Sequence, residues 1–154
     1  MVASQRLAEV PEELVQASSL PEPDYVDAFS IDLASAAPSA EGWARSVFEG
    51  APVAVRWFMV VGWRFGLGLR LGPRTPEYVL GWRITGRDAN SLTLEQKSWL
   101  LTAQLVCWTG NQGSMQATFV RYDSPAARWL WPTASLLHRR IVPYLLRRAA
   151  STTV

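Results

Sequence analysis

Between Tyr78 and Asp123 apolar residues recur at every second position, and from Ser124 onward they recur every three to four. A chain that changes period in this way is committed to an antiparallel sheet followed directly by a helix. Tyr78, Leu80, Trp82 and Ile84 share one face of an expected strand, RDAN turns the chain, and Leu92 and Leu94 share a face of the next. After a reversal at Lys97–Ser98, WLLTAQLVCWT and SMQATFVRY are joined by GNQG, which completes a four-strand meander. The last hairpin has one face bearing Trp99, Leu101, Leu105, Cys107, Val120 and Tyr122. Its other face bears Val106, Trp108, Met115, Ala117 and Phe119 beside Gln104 and Arg121. Both faces are mixed, so alternation alone marks neither as the inner one.

The terminal helix has Ser124 as its expected cap and Pro125 as its first residue. Leu130, Ala134, Leu137, Ile141, Tyr144 and Leu145 form its apolar stripe, while Pro132 and Pro143 predict kinks or a break. Earlier in the chain, YVDAFSIDL at 25–33 alternates and predicts a strand with Tyr25, Asp27, Phe29, Ile31 and Leu33 on one face. A helix follows, capped by Ser39, with Ala40, Trp43, Ala44, Val47 and Phe48 on one stripe. Pro52 opens a second helical segment, VAVRWFMVVGWRF, whose β-branched content also admits a strand. The expected organisation is a polar, partly flexible, proline-containing leader over 1–23 with a short helical piece near Glu12–Ala17. One α+β domain follows over 24–150, then a tail over 151–154.

Of the 154 residues, 49% are apolar and 18% charged, enough to bury a core and too few charges for wholesale disorder. A net charge of +2 gives no reason to expect a nucleic-acid partner. Charge is nonetheless uneven, with nine acids and two bases in 1–50 against four acids and thirteen bases in 51–154. No acid follows Asp123, where Arg128, Arg139, Arg140, Arg147 and Arg148 lie. Residues 1–10 lack the apolar run of an export signal, and Pro52–Leu71, the most membrane-like stretch, is interrupted by Arg56, Arg64 and Arg70. A transmembrane segment is not expected, and the cytoplasm is the expected location.

The order strand, two helices, antiparallel sheet, long helix resembles the START-like (SRPBCC) helix-grip superfamily. More narrowly, PDYVDAFSIDL at 23–33, EGWARSVFEGAP at 41–52, GLGLRLGP at 66–73, VLGWRITG at 79–86 and ARWLWPTASLLHRRIVPYLLRRAA at 127–150 resemble a bacterial family of unknown function, family 2867. The narrow family implies no activity. The superfamily implies a curved sheet gripping a C-terminal helix around a cavity for lipids, sterols or polyketides, with occasional cyclase or hydrolase chemistry.

The inventory of reactive groups is short. GLGLRLG lacks the spacing and the strand-to-helix context of a dinucleotide loop, and it reads as a connection. One cysteine and one histidine leave no metal motif, so neither a metal nor a cofactor is expected. Cys107 reads as a small buried apolar residue. His138, at the edge of the terminal helix's stripe, is the one neutral-pH acid–base candidate. Asp24 and Asp32 read as solvent-facing strand ends, whereas Asp27 shares a face with Tyr25 and Phe29 and calls for an arginine partner. Eight tryptophans supply broad apolar surface with a few donors, the usual composition of a pocket wall. The expected ligand contacts are Trp57, Trp82, Trp108, Phe119, Arg121, Leu137 and His138. The expected function is therefore binding of a small apolar or amphipathic molecule without its transformation. A polyketide-cyclase-like enzyme using His138 is the first alternative. The second is an interaction module whose Arg139, Arg140, Arg147 and Arg148 meet an acidic partner or a membrane surface.

Overall fold

The strand predicted at 25–33 joins the two halves of the chain. In a computed structural model, which describes residues 4–33, 39–111 and 113–152, Ser4–Arg6 (β1) is an edge strand beside Tyr25–Asp32 (β2). Near the other end of the sheet come Tyr78–Val79 (β3), Trp82–Arg87 (β4), Ser91–Lys97 (β5), Leu101–Thr109 (β6) and Gly113–Tyr122 (β7). All seven strands pair antiparallel in the order β1-β2-β7-β6-β5-β4-β3. β2 meets β7 along its whole length, from Tyr25 opposite Val120 to Asp32 opposite Gly113.

The expected leader becomes part of this sheet from Ser4 onward. Beyond β1, Glu12–Ala17 forms a short helix, α1, at the predicted position. Its Leu14 is buried with Ala28, Val106, Ala117 and Phe119 on the sheet's outer face. The inner face carries the main core, where Phe29, Ile31, Leu94, Leu101 and Val120 meet the remaining helices. Covered on both sides, β6 is buried at every residue from Leu101 to Cys107, which is why its alternation is blurred in sequence.

Ala40–Phe48 (α2) follows its predicted stripe, and Ser39 Oγ accepts from Gly42 N at 2.9 Å as its cap. All five stripe residues are buried. The segment after Pro52 is helical: Val53–Val61 (α3) continues into a π-helical turn at Gly62–Gly66. Ala127–Thr152 (α4) is one uninterrupted helix that contains both Pro132 and Pro143, so the expected break is absent. Part of the local hydrogen bonding around Pro132 passes to a side chain, since Ser135 Oγ donates to the Pro132 carbonyl at 2.9 Å. Ser151 and Thr152 of the expected tail complete α4, while Gln112 of the GNQG turn lies outside the described residues.

The meander has five strands where four were expected, because the strand predicted over 78–84 folds back on itself. Leu80 (φ 47°) and Gly81 (φ 89°) make a two-residue turn with both φ values positive, the geometry that suits a tight hairpin. Leucine rarely adopts that conformation. Here it is clamped by Leu80 N donating to Glu49 Oε2 at 3.3 Å and Gln96 Nε2 donating to the Gly81 carbonyl at 2.7 Å. At Gly81 a Cβ would meet the Leu71 side chain at 2.8 Å, so the tightness comes from packing as well as from φ.

Burial separates the tryptophans sharply: Trp43 is 1% exposed in the core and Trp57 on α3 is 67% exposed. Trp43→Ala is therefore expected to cost about 3–5 kcal/mol in urea denaturation, and Trp57→Ala within about 0.5 kcal/mol of nothing.

A candidate ligand cavity

The inner face of the sheet is wider than α2 and α4 can cover. α2 packs over β5 and β6, while α4 packs over β1, β2 and α2. The space left between them is roofed by α3 and the π turn. It holds a cavity of about 290 Å³, just below the roughly 300–1,000 Å³ usual for small-molecule sites. Leu101, Ala103 and Leu105 of β6 floor it, with Trp82 of β4 and Gln116 and Thr118 of β7. Met59, Trp63 and Leu69 wall one side, and Trp131, Ala134 and His138 of α4 the other. Phe58 and Leu137 line it yet remain about half exposed, at 52% and 48%, so they form the rim of its mouth.

The lining settles which face of the β6–β7 hairpin looks inward. It is the one with odd positions on β6 and even positions on β7. Of the residues expected to contact a ligand, the structure brings Trp82, Leu137 and His138 to the cavity. Trp108 and Phe119 belong to the core under α1 on the opposite face. Arg121 shares their parity and pairs with Asp123 at 3.0 Å. Trp57 faces solvent one residue before Phe58. The two tryptophans beside Trp82 in the wall are Trp63 and Trp131. Trp63 packs edge-on against Trp82 with ring centres 5.5 Å apart, and Trp131 against Tyr25 at 5.3 Å.

Among the lining residues not singled out from sequence are two polar ones on β7, Gln116 and Thr118. Gln116 is 1% exposed, and neither its amide nitrogen nor its amide oxygen has a hydrogen-bond partner among the described residues. The indole nitrogens of Trp82 and Trp131 are unpartnered in the same way. A buried amide with neither end paired is a marked exception to the rule that buried polar groups are satisfied. The available signal was the run of polar residues Ser114, Gln116 and Thr118 at β7 positions in phase with Val120 and Tyr122.

Thr118 leads to a polar cluster. It stands opposite Asp27 in the β2–β7 register, and its Oγ1 lies 3.0 Å from His138 Nε2. The same nitrogen is 3.2 Å from Asp27 Oδ2. That carboxylate oxygen also accepts from the Tyr25 hydroxyl at 2.6 Å, and Tyr25 Oη in turn accepts from Arg139 Nε at 3.1 Å. The expected Asp27–arginine pair is thus not made directly. β2 turns Asp27 toward α4, where His138 occupies the near position and Arg139 reaches only the tyrosine. Burial by itself would raise the Asp27 carboxyl. The hydrogen bond and charge of His138, the Tyr25 hydroxyl and the charge of Arg6 outweigh it and hold the group below the usual carboxylate value. Burial and the Asp27 hydrogen bond push the Tyr25 hydroxyl up to about 12. In the neutral form of His138 a carboxylate beside Nε2 favours the tautomer with its proton there, and in that form Nδ1 is an acceptor, whereas the charged ring has none.

Cys107 and Asp24 lie where the sequence places them. Burial pushes the Cys107 thiol up to about 12, so it is neither ionised nor reachable. Asp24 Oδ2 accepts from Tyr122 N at 2.7 Å at the solvent-facing end of β2. Among the described residues no group of histidine, cysteine and carboxylate side chains could hold a metal ion, and no helix is long and apolar enough to cross a membrane. Compared with protein-family models, curated proteins and solved structures, the chain matches none.

Two variants test this geometry. Gln116→Leu removes an unpaired buried amide and is expected to raise stability by about 1–3 kcal/mol in urea denaturation; a loss would show that the amide has a partner. Asp27→Asn is expected to lower the melting temperature at neutral pH. Because the folded carboxyl titrates below its ordinary value of 3.8, its contribution is present above that pH and is lost as pH falls through the folded value. The gap between variant and wild type should accordingly close below about pH 4 in thermal melts.

Proposed function

We propose that this chain is a START-like helix-grip domain that binds a small amphipathic molecule in the cavity between sheet, α3 and α4. The antiparallel sheet with its long C-terminal helix is compatible with that fold. The observation that carries the functional reading is Gln116, a donor and an acceptor left unpaired at the floor of an apolar cavity. A ligand with an apolar body and an uncharged polar end, such as an amide or alcohol, would satisfy the amide and leave its body among Trp63, Trp82 and Leu105. Leaving a buried amide unsatisfied costs stability, and a ligand that pairs with it recovers that cost on binding.

The test is titration with 1-aminoanthracene, a neutral apolar fluorophore with one amine, followed by displacement with medium-chain amides and alcohols. Saturable binding is expected, with about 2.7 kcal/mol of added stability at 100 times the dissociation constant. Ala134→Phe, which fills the cavity, should abolish it while the fold persists. Equal binding to wild type and Ala134→Phe would reject the reading.

A second reading is favoured by one observation, the 3.2 Å approach of Asp27 to His138 Nε2. A histidine oriented by a buried carboxylate, with its other nitrogen free, is the arrangement of a general base, here in a cyclase-like enzyme. Mass spectrometry of molecules that co-purify with wild type and with His138→Gln separates the two. A binder carries the same molecule in both. An enzyme that depends on this base carries product in the wild type and unconverted substrate in the variant.

A further inference from the structure

α3 is an apolar helix that buries almost nothing. Met59 is its one buried residue, and the π turn that follows has none. Val53, Trp57, Val61 and Phe65, four residues apart, are 61%, 67%, 43% and 79% exposed, with Phe58 beside them. Monomers rarely leave a contiguous apolar face of this kind to water, and such faces mark interaction surfaces. Across the cavity mouth α4 carries a matching outer stripe, with Trp129 at 84% and Leu136 at 61% exposed. The rim residues Phe58 and Leu137 connect the two faces.

The charges on these elements are all of one sign. No acid occurs between Glu49 and Glu77 or after Asp123. On α4, Arg139 bonds Tyr25, Arg147 donates to Ser4 Oγ and Arg148 donates to the Ser46 carbonyl, so three of its cations are engaged within the fold. Arg64, Arg128 and Arg140 are exposed and have no side-chain partner among the described residues. Exposed aromatic side chains set among unpaired arginines, with no carboxylate on either element, complement one surface in particular: a bilayer with anionic headgroups. There the rings bury in the interfacial region and the guanidinium groups meet phosphates.

We propose that α3, the π turn and the outer stripe of α4 form a docking face for anionic lipid bilayers, which holds the cavity mouth against the headgroups. This does not depend on whether the cavity takes a ligand. Gly62 and Gly66 line the cavity mouth and have nothing within 4 Å of a Cβ position, so the turn faces open space at both.

The experiment is vesicle flotation of the full chain with phosphatidylcholine alone and with added phosphatidylglycerol, alongside tryptophan emission. Partitioning is expected with phosphatidylglycerol only, accompanied by a blue shift. Trp57→Ser combined with Phe65→Ser should lower it by about 10–100-fold, and Arg64→Glu combined with Arg140→Glu should abolish the preference for the anionic lipid. All variants should keep the wild-type melting temperature and 1-aminoanthracene binding, since none of the four residues lines the cavity. Absence of partitioning, equal partitioning onto both vesicle types, or partitioning that survives the Trp57/Phe65 variant would overturn the proposal. So would sedimentation of the wild type as a dimer that the same variant dissociates, because a second copy would then cover this face.

Discussion

A carboxylate with no exposed surface depends on partners inside the fold, and Asp27 gathers its partners on one oxygen, Oδ2, while Oδ1 has none among the described residues. Its strand must lie beside β7 so that Thr118 falls opposite, and α4 must cross close enough for His138 to reach both. Tyr25 adds a second bond to Oδ2 from the same strand and ties the cluster to the next residue of α4 through Arg139. Breaking such an arrangement by removing one partner costs several times what an exposed ion pair contributes. Strands from the two ends of the sequence and the last helix are therefore held in one register by a small polar cluster at the edge of an apolar space.

The cavity follows from where α4 is held. With α4 over β1 and β2 and α2 over β5 and β6, the middle of the inner face has no long helix on it. α3 covers the gap with few side chains, which leaves room beneath it and apolar surface above. The same thin roof explains both features of function argued above: an interior with unpaired polar groups and an exterior with unpaired cations among aromatic rings. Stability and site conflict here in the usual way, since the substitution expected to stabilise the fold, Gln116→Leu, removes the group best suited to hold a ligand.

Much of this was legible in the residues. The stripe from Ala40 to Phe48 is buried as read, β2 presents Phe29 and Ile31 inward as its alternation requires, and α4 begins within a few residues of its proline signal. What was illegible has physical causes. The Leu80–Gly81 hairpin lacks the Asn-Gly signature because side chains of Glu49 and Gln96, distant in sequence, hold the backbone there. The inner face of the β6–β7 hairpin was hidden because α1 buries the outer face as well, which placed Trp108 and Phe119 among apolar neighbours on the wrong side of the sheet for the cavity. Asp27's partner depended on where α4 crosses β2, a long-range relation that no local pattern encodes. Trp57 was read as a pocket wall and Phe65 was not singled out, because the sequence has no mark that separates an unpartnered apolar face from a buried one.

The two ends of the sheet have a consequence of their own. Its long strands are interior, while its borders are β1, three residues long, and β3, two residues long. A border that short offers a foreign strand almost no ladder of free amides and carbonyls to copy, so the sheet resists growth into fibrils. The protection is uneven. β3 is backed by a tight hairpin, whereas among the described residues β1 pairs with only Phe29, Ser30 and Ile31 of β2. Proteolysis before Leu7 would unpair Phe29, Ser30 and Ile31, extending the open edge of β2, and polymerisation through that edge would be the failure mode of the trimmed chain.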